Sequence, residues 1–136
     1  MTTPIYLRSW VESANAHPDF PLENLPLGIF SQGGKPRQGG VAVGDFIFAL
    51  RAALDAGLFQ GDAAYAAQVA SADSLNDFFA LGPGPRRALR EALQSLLGEN
   101  SPQRASMQAL GEALLLPMGA CQLHLPARVG DYTDFY

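Results

Sequence analysis

The chain has 136 residues, enough for one domain that buries roughly two-thirds of the surface an unfolded chain exposes. Hydrophobic residues at 48% and charged residues at 16% exclude a disordered acidic segment. A formal net charge of -4, with nine basic residues scattered rather than striped, argues against nucleic acid and against an anionic membrane as partners.

The first ten residues, Met1-Thr2-Thr3-Pro4-Ile5-Tyr6-Leu7-Arg8-Ser9-Trp10, lack the basic start and apolar run of a secretory signal. The apolar runs elsewhere fall short of the ~20 residues that span a bilayer. One cysteine, Cys121, permits no internal disulfide and builds no thiolate metal site by itself, which fits a reducing, cytoplasmic setting. Tyr6 and Trp10 read as packing residues.

Between Phe20 and Leu50 the pattern is that of strands. Leu25, Leu27 and Ile29 alternate, then Val41 and Val43, then Phe46 and Phe48. Gly44-Asp45 between the last two runs is a hairpin signal, because Gly supplies the positive φ that a type II′ turn requires at its first central position. Gly33-Gly34-Lys35-Pro36 and Gly39-Gly40 read as loop punctuation, with neither GxGxxG nor GxxxxGK[ST] present to suggest a phosphate cradle.

After Leu50 the sequence turns alanine-rich and helical, with Asp62 and Ser74 as candidate N-caps and Leu75, Phe78 and Phe79 at helical spacing. Gly82-Pro83-Gly84 interrupts it. Pro85 suits a first helical position, Leu89, Leu93, Leu96 and Leu97 trace one apolar face, and Gly98 offers a stop. Arg86, Arg87 and Arg90 on this helix form the one basic cluster and read as a solvated face. A further helix is expected from Ser101-Pro102 toward Leu115, ending before Pro117. From Gly119 to Pro126 the chain reads as extended, with Cys121, Leu123 and Leu125 on one face and Gln122 and His124 on the other. Strands, then helices, then a final strand predict an α+β domain.

The most unusual stretch is the last one, Gly130-Asp131-Tyr132-Thr133-Asp134-Phe135-Tyr136. Two Asp three positions apart, interleaved with aromatics, offer oxygen donors to a hard cation and flat faces to a small polar substrate. The same residues also suit a turn or a helix cap, with Asp131 shaping the Gly130 turn. One carboxylate is not a metal site.

The run from Leu123 through Gly130-Asp131-Tyr132-Thr133-Asp134-Phe135-Tyr136 resembles the junction between the N-terminal and catalytic domains of the fumarylacetoacetase family. Asp19-Phe20-Pro21-Leu22-Glu23-Asn24-Leu25-Pro26-Leu27-Gly28-Ile29-Phe30-Ser31 resembles that family's first strand, and Gly40-Val41-Ala42-Val43-Gly44-Asp45 its following hairpin; Ser74-Leu75-Asn76-Asp77-Phe78-Phe79 also matches. The resemblance implies a small SH3-like barrel decorated with helices over residues 1–117. It also implies a connector and the start of a catalytic domain over 118–136. In this family the second Asp of the motif ligates a divalent metal and its final Tyr contacts substrate, which here are Asp134 and Tyr136. The implied cofactor is Ca2+ or Mg2+, which favour hard oxygen donors. The implied reaction is hydrolysis of a carbon-carbon bond in a β-diketo acid, fumarylacetoacetate giving fumarate and acetoacetate. The family's general-base His and remaining acidic ligands fall beyond Tyr136, so the chain is expected to be a truncated, inactive and monomeric part of an enzyme that is homodimeric at full length. The other reading is a stand-alone SH3-like module for binding or assembly; a terminus ending on Phe135 and Tyr136, without partners to pack against, favours truncation. His17, before Pro18, and His124, on a strand, read as structural or exposed because no acid or serine motif accompanies either. Cys121 reads as a small buried hydrophobe.

Overall fold

A computed structural model describes residues 8–125. Its frame is a five-stranded antiparallel sheet, curled into a half-barrel, with helices packed against it. The strands are β1 (Leu27–Ser31), β2 (Gln38–Val43), β3 (Phe46–Ala49), β4 (Leu115–Pro117) and β5 (Gln122–His124), in the order β4-β3-β2-β1-β5. The helices are α1 (Leu50–Asp55), α2 (Gly61–Ala70), α3 (Asn76–Phe79), α4 (Pro83–Leu97) and α5 (Arg104–Leu110). The α+β class expected from the pattern is what the chain forms.

The two-residue period of the strands divides the sheet into two apolar faces. Leu27, Ile29, Val41, Val43 and Phe48 share the main core with the helices. Phe30, Ile47, Ala49 and Leu116 form a second, smaller cluster on the opposite side. The register fixes this division, with Phe30 opposite Gln38, Ala42 opposite Ile47 and Ile47 opposite Leu116. The hairpin at Gly44-Asp45 is present: Gly44 has φ 56° and Asp45 is not left-handed, the pattern of a type II′ turn. Gly44 is also pressed against the N-terminal segment, since a Cβ there would lie 2.3 Å from Ser13 Oγ.

α2 buries Ala63, Ala66, Ala67 and Ala70 against α4, which buries Leu89, Leu93, Leu96 and Leu97. Small residues on one side and leucines on the other let the helices approach closely. The sheet meets α2 equally tightly, because a Cβ at Gly39 would stand 1.6 Å from the Ala70 carbonyl oxygen. The Gly39-Gly40 pair expected to be loop is therefore strand, made of glycine by close packing rather than by a turn.

The helix ends differ in detail from expectation. Asp62 lies in the first turn of α2 rather than at its cap, which is Gln60. Ser74 precedes the cap of α3, where its Oγ accepts from the Asn76 amide at 3.4 Å. α4 starts two residues earlier than Pro85. α5 stops at Leu110, where Gly111 with φ 54° turns the chain into the 3-10 turn Gly111–Ala113 and then into β4. The helix expected to run toward Leu115 thus ends early, and Leu115 and Leu116 are strand because β3 offers them a hydrogen-bonding edge. Before β5 the chain makes a 3-10 turn at Met118–Ala120 rather than running extended.

α1 ends in a Schellman motif. Gly57 has φ 73°, its amide donates to the Leu54 carbonyl, and the Leu58 amide donates to the Ala53 carbonyl. The N-terminal segment is anchored on the far end of α4: Ser9 Oγ donates to the Leu97 carbonyl at 2.5 Å and Trp10 Nε1 to the Leu96 carbonyl at 2.9 Å. Trp10 thus packs, as read, and closes the main core.

Candidate functional site

Asp131, Asp134 and Tyr136 lie outside the described residues. The platform that precedes them is described. β5 is laid antiparallel on β1, with Ile29 opposite His124, Phe30 opposite Leu123 and Ser31 opposite Gln122. Ser31 is buried, and its Oγ lies 2.7 Å from His124 Nε2. A hydroxyl can donate or accept, so this pair is satisfied with either imidazole tautomer. His124 is therefore a tie between the first and last strands, in line with a structural reading.

His17 is committed in the same way. Its Nδ1 accepts from the Asp19 and Phe20 amides at 3.1 and 2.9 Å, which assigns the hydrogen to Nε2, 3.2 Å from Asp45 Oδ1. The ring stacks on Phe20 with centroids 5.5 Å apart. With both nitrogens engaged, His17 pins the loop before β1 to the hairpin and is not free to take a proton from a substrate.

Cys121 is half-buried rather than buried, because the 3-10 turn before it leaves one side open. Its Sγ donates to the Pro117 carbonyl at 3.6 Å, and burial pushes the thiol above its ordinary 9.0. That direction disfavours the thiolate a nucleophile needs.

Arg86 and Arg87 are exposed, as a solvated face requires. Arg90 differs: it donates to the carbonyls of Glu23 and Asn24, the latter at 2.9 Å. Those residues precede Leu25, a buried leucine with φ 41°, a left-handed conformation costly for an L-residue. Arg90 holds this turn closed across 66 positions of sequence, so no local signal reveals it.

Among the described residues no group of three or more His, Cys, Asp or Glu side chains gathers where a cation could be held. The donors needed for a hard divalent ion are not assembled by the described residues. No described helix is long and apolar enough to cross a membrane. Among the described residues both histidines and Arg90 are engaged in holding loops and strands.

Comparison with known proteins fits that geometry. The family described as "Fumarylacetoacetase N-terminal" matches residues 23–126, which contain every helix and strand named above. The chain is 39% identical over 135 residues to the fumarylacetoacetase of Oryza sativa subsp. japonica, covering 96% of this chain and 31% of that protein. It is 41% identical over 135 residues to the fumarylacetoacetase of Caenorhabditis elegans, covering 96% and 31%. With that of Homo sapiens the identity is 38% over 120 residues, 87% of this chain and 28% of the human protein. The chain thus spans less than a third of the length of the curated relatives it matches.

Proposed function

The chain belongs to the fumarylacetoacetase N-terminal family, and from that premise we propose that it is the N-terminal part of a fumarylacetoacetase-type hydrolase. The reaction is hydrolysis of 4-fumarylacetoacetate, a small β-diketo acid, in tyrosine and phenylalanine catabolism. Water adds across the cleaved carbon-carbon bond: its hydroxyl goes to the fumaryl carbonyl carbon and a proton to the carbon that becomes the acetoacetate methyl. The observation that carries the reading is the match itself, 96% of this chain against 31% of the rice enzyme.

The role of this part is architectural. The five-stranded antiparallel sheet, with a 3-10 turn at Met118–Ala120 joining β4 to β5, supports an SH3-like barrel. On this reading residues 1–117 are that domain and 118–136 a connector whose first strand, β5, lies on the domain's own sheet. Asp134 is the metal-ligating carboxylate and Tyr136 the substrate contact that the connector delivers to a cytoplasmic, homodimeric enzyme using Ca2+ or Mg2+. The general base is a His beyond Tyr136. The chain by itself is accordingly without activity.

The test is the coding frame downstream of Tyr136, together with loss of diketone absorbance on adding fumarylacetoacetate to the encoded product. A frame that continues into a His and further carboxylates, with turnover by the longer product only, supports the reading. A stop codon directly after Tyr136 overturns it in favour of a stand-alone binding module.

A further inference from the structure

The second face of the sheet carries a hollow that the domain does not fill. Gly28 and Gly40 stand opposite each other in β1 and β2, and Ala42 lies one pair further along on the same side. Three small residues in adjacent positions leave a dent of about 170 Å³. Its walls are Phe20, Phe30, Ile47, Met118 and Leu123. The two glycines differ: a Cβ at Gly40 would strike the Phe30 ring at 2.8 Å, whereas one at Gly28 would meet nothing within 4 Å. The dent is thus roofed at Gly40 and open at Gly28.

At the rim stand the two most exposed large hydrophobic side chains among the described residues. Leu123 is 64% exposed, and it shares the face of Phe30, its partner across β1. Leu125, 72% exposed, follows directly after the end of β5. Two adjacent leucines left in water beside an apolar hollow are the mark of a surface that another body covers.

We propose that this hollow and the Leu123–Leu125 rim are the docking surface for the C-terminal two-thirds of the same polypeptide, the part that the relatives carry beyond the region matched here. Three observations select this occupant. More than two-thirds of each relative's length lies outside the match, so in those proteins this region is followed by a much larger one. Leu123 of the rim belongs to β5, the last described strand, so whatever follows in sequence starts beside this surface. The lining is apolar and holds no charged side chain, as a permanent intramolecular contact requires and as a soluble small-molecule acid would not. The exposed arginines of α4 lie on a different cleft, lined by Leu25, Phe78 and Pro83, and are not part of this surface. The inference rests on family membership and not on the hydrolytic reading, and its readout is independent of turnover.

The experiment compares amide hydrogen exchange in this chain alone and in a chimera in which it replaces the N-terminal part of the rice fumarylacetoacetase. Protection is expected to rise at least tenfold in the chimera around Gly28, Ala42 and Leu123 and to stay unchanged on α4. Leu123→Asp and, separately, Gly28→Val, which fills the open end of the dent, are expected to leave exchange in the isolated chain unaltered and to abolish the gain. If the chimera does not fold, the two parts are mixed as separate polypeptides and the amide NMR shifts of this chain are followed, with the same residues expected to move. Unchanged protection at the hollow, protection confined to α4, or self-association of the isolated chain that Leu123→Asp reverses would each overturn the proposal, the last in favour of a second copy.

Discussion

Ser31 and His124, 93 residues apart, meet through a 2.7 Å contact that fastens β5 to β1. Ser31→Ala removes a buried hydroxyl and leaves the imidazole without its partner, at an expected cost of about 1 kcal/mol. Urea denaturation checks the magnitude. Amide exchange in β5 should accelerate more than in β2, and equal acceleration in both would show that the pair is not a local tie.

Gly39→Ala should be among the most damaging single changes in the sheet. Its Cβ would sit 1.6 Å from the Ala70 carbonyl oxygen, so β2 and α2 must part, and the expected loss is about 3 kcal/mol or more. Gly34→Ala meets nothing within 4 Å and should change stability by less than ~0.5 kcal/mol. Thermal melts of the two variants give the comparison.

Arg90 and Arg86 separate a structural arginine from a solvated one. Arg90→Ala frees the Glu23 and Asn24 carbonyls and loosens the left-handed turn at Leu25, for an expected loss of about 1 kcal/mol at this exposed position. Arg86→Ala should fall within ~0.5 kcal/mol of the parent. Equal effects would remove the distinction.

Cys121 should react slowly with an alkylating reagent at neutral pH, because burial raises its thiol above 9.0 and so lowers the thiolate fraction. The folded chain holds this proton more tightly than the unfolded chain. Its contribution to stability is therefore complete below the ordinary thiol value and declines as pH rises past it. Alkylation rates measured against pH, in folded and urea-unfolded protein, test the direction.

The strands and α4 were legible in the sequence because each buries a face whose period is visible within a few residues: Val41 and Val43 in β2, Leu89, Leu93, Leu96 and Leu97 in α4. β4 was not, since Leu115 and Leu116 carry no period over three residues and become strand only when β3 supplies an edge. Gly39 suits a loop or a close approach equally well in sequence, and only the position of Ala70 decides between them. The Schellman end of α1 has a local signal in the sequence, Gly57 followed by an apolar Leu58. Asp134 and Tyr136 rest on a family motif and lie outside the described residues, whereas the work of His17, His124 and Arg90 depends on partners 28, 93 and 66 positions away.

The most direct test of the central claim is a fumarylacetoacetate hydrolysis assay on this chain alone and on the chimera with the C-terminal part of the rice enzyme. The expected result is no turnover by the isolated chain and clear consumption of the diketone by the chimera. A folded chimera that leaves the diketone intact would contradict the assignment of this domain to such an enzyme, and hydrolysis by the isolated chain would contradict its inactivity alone.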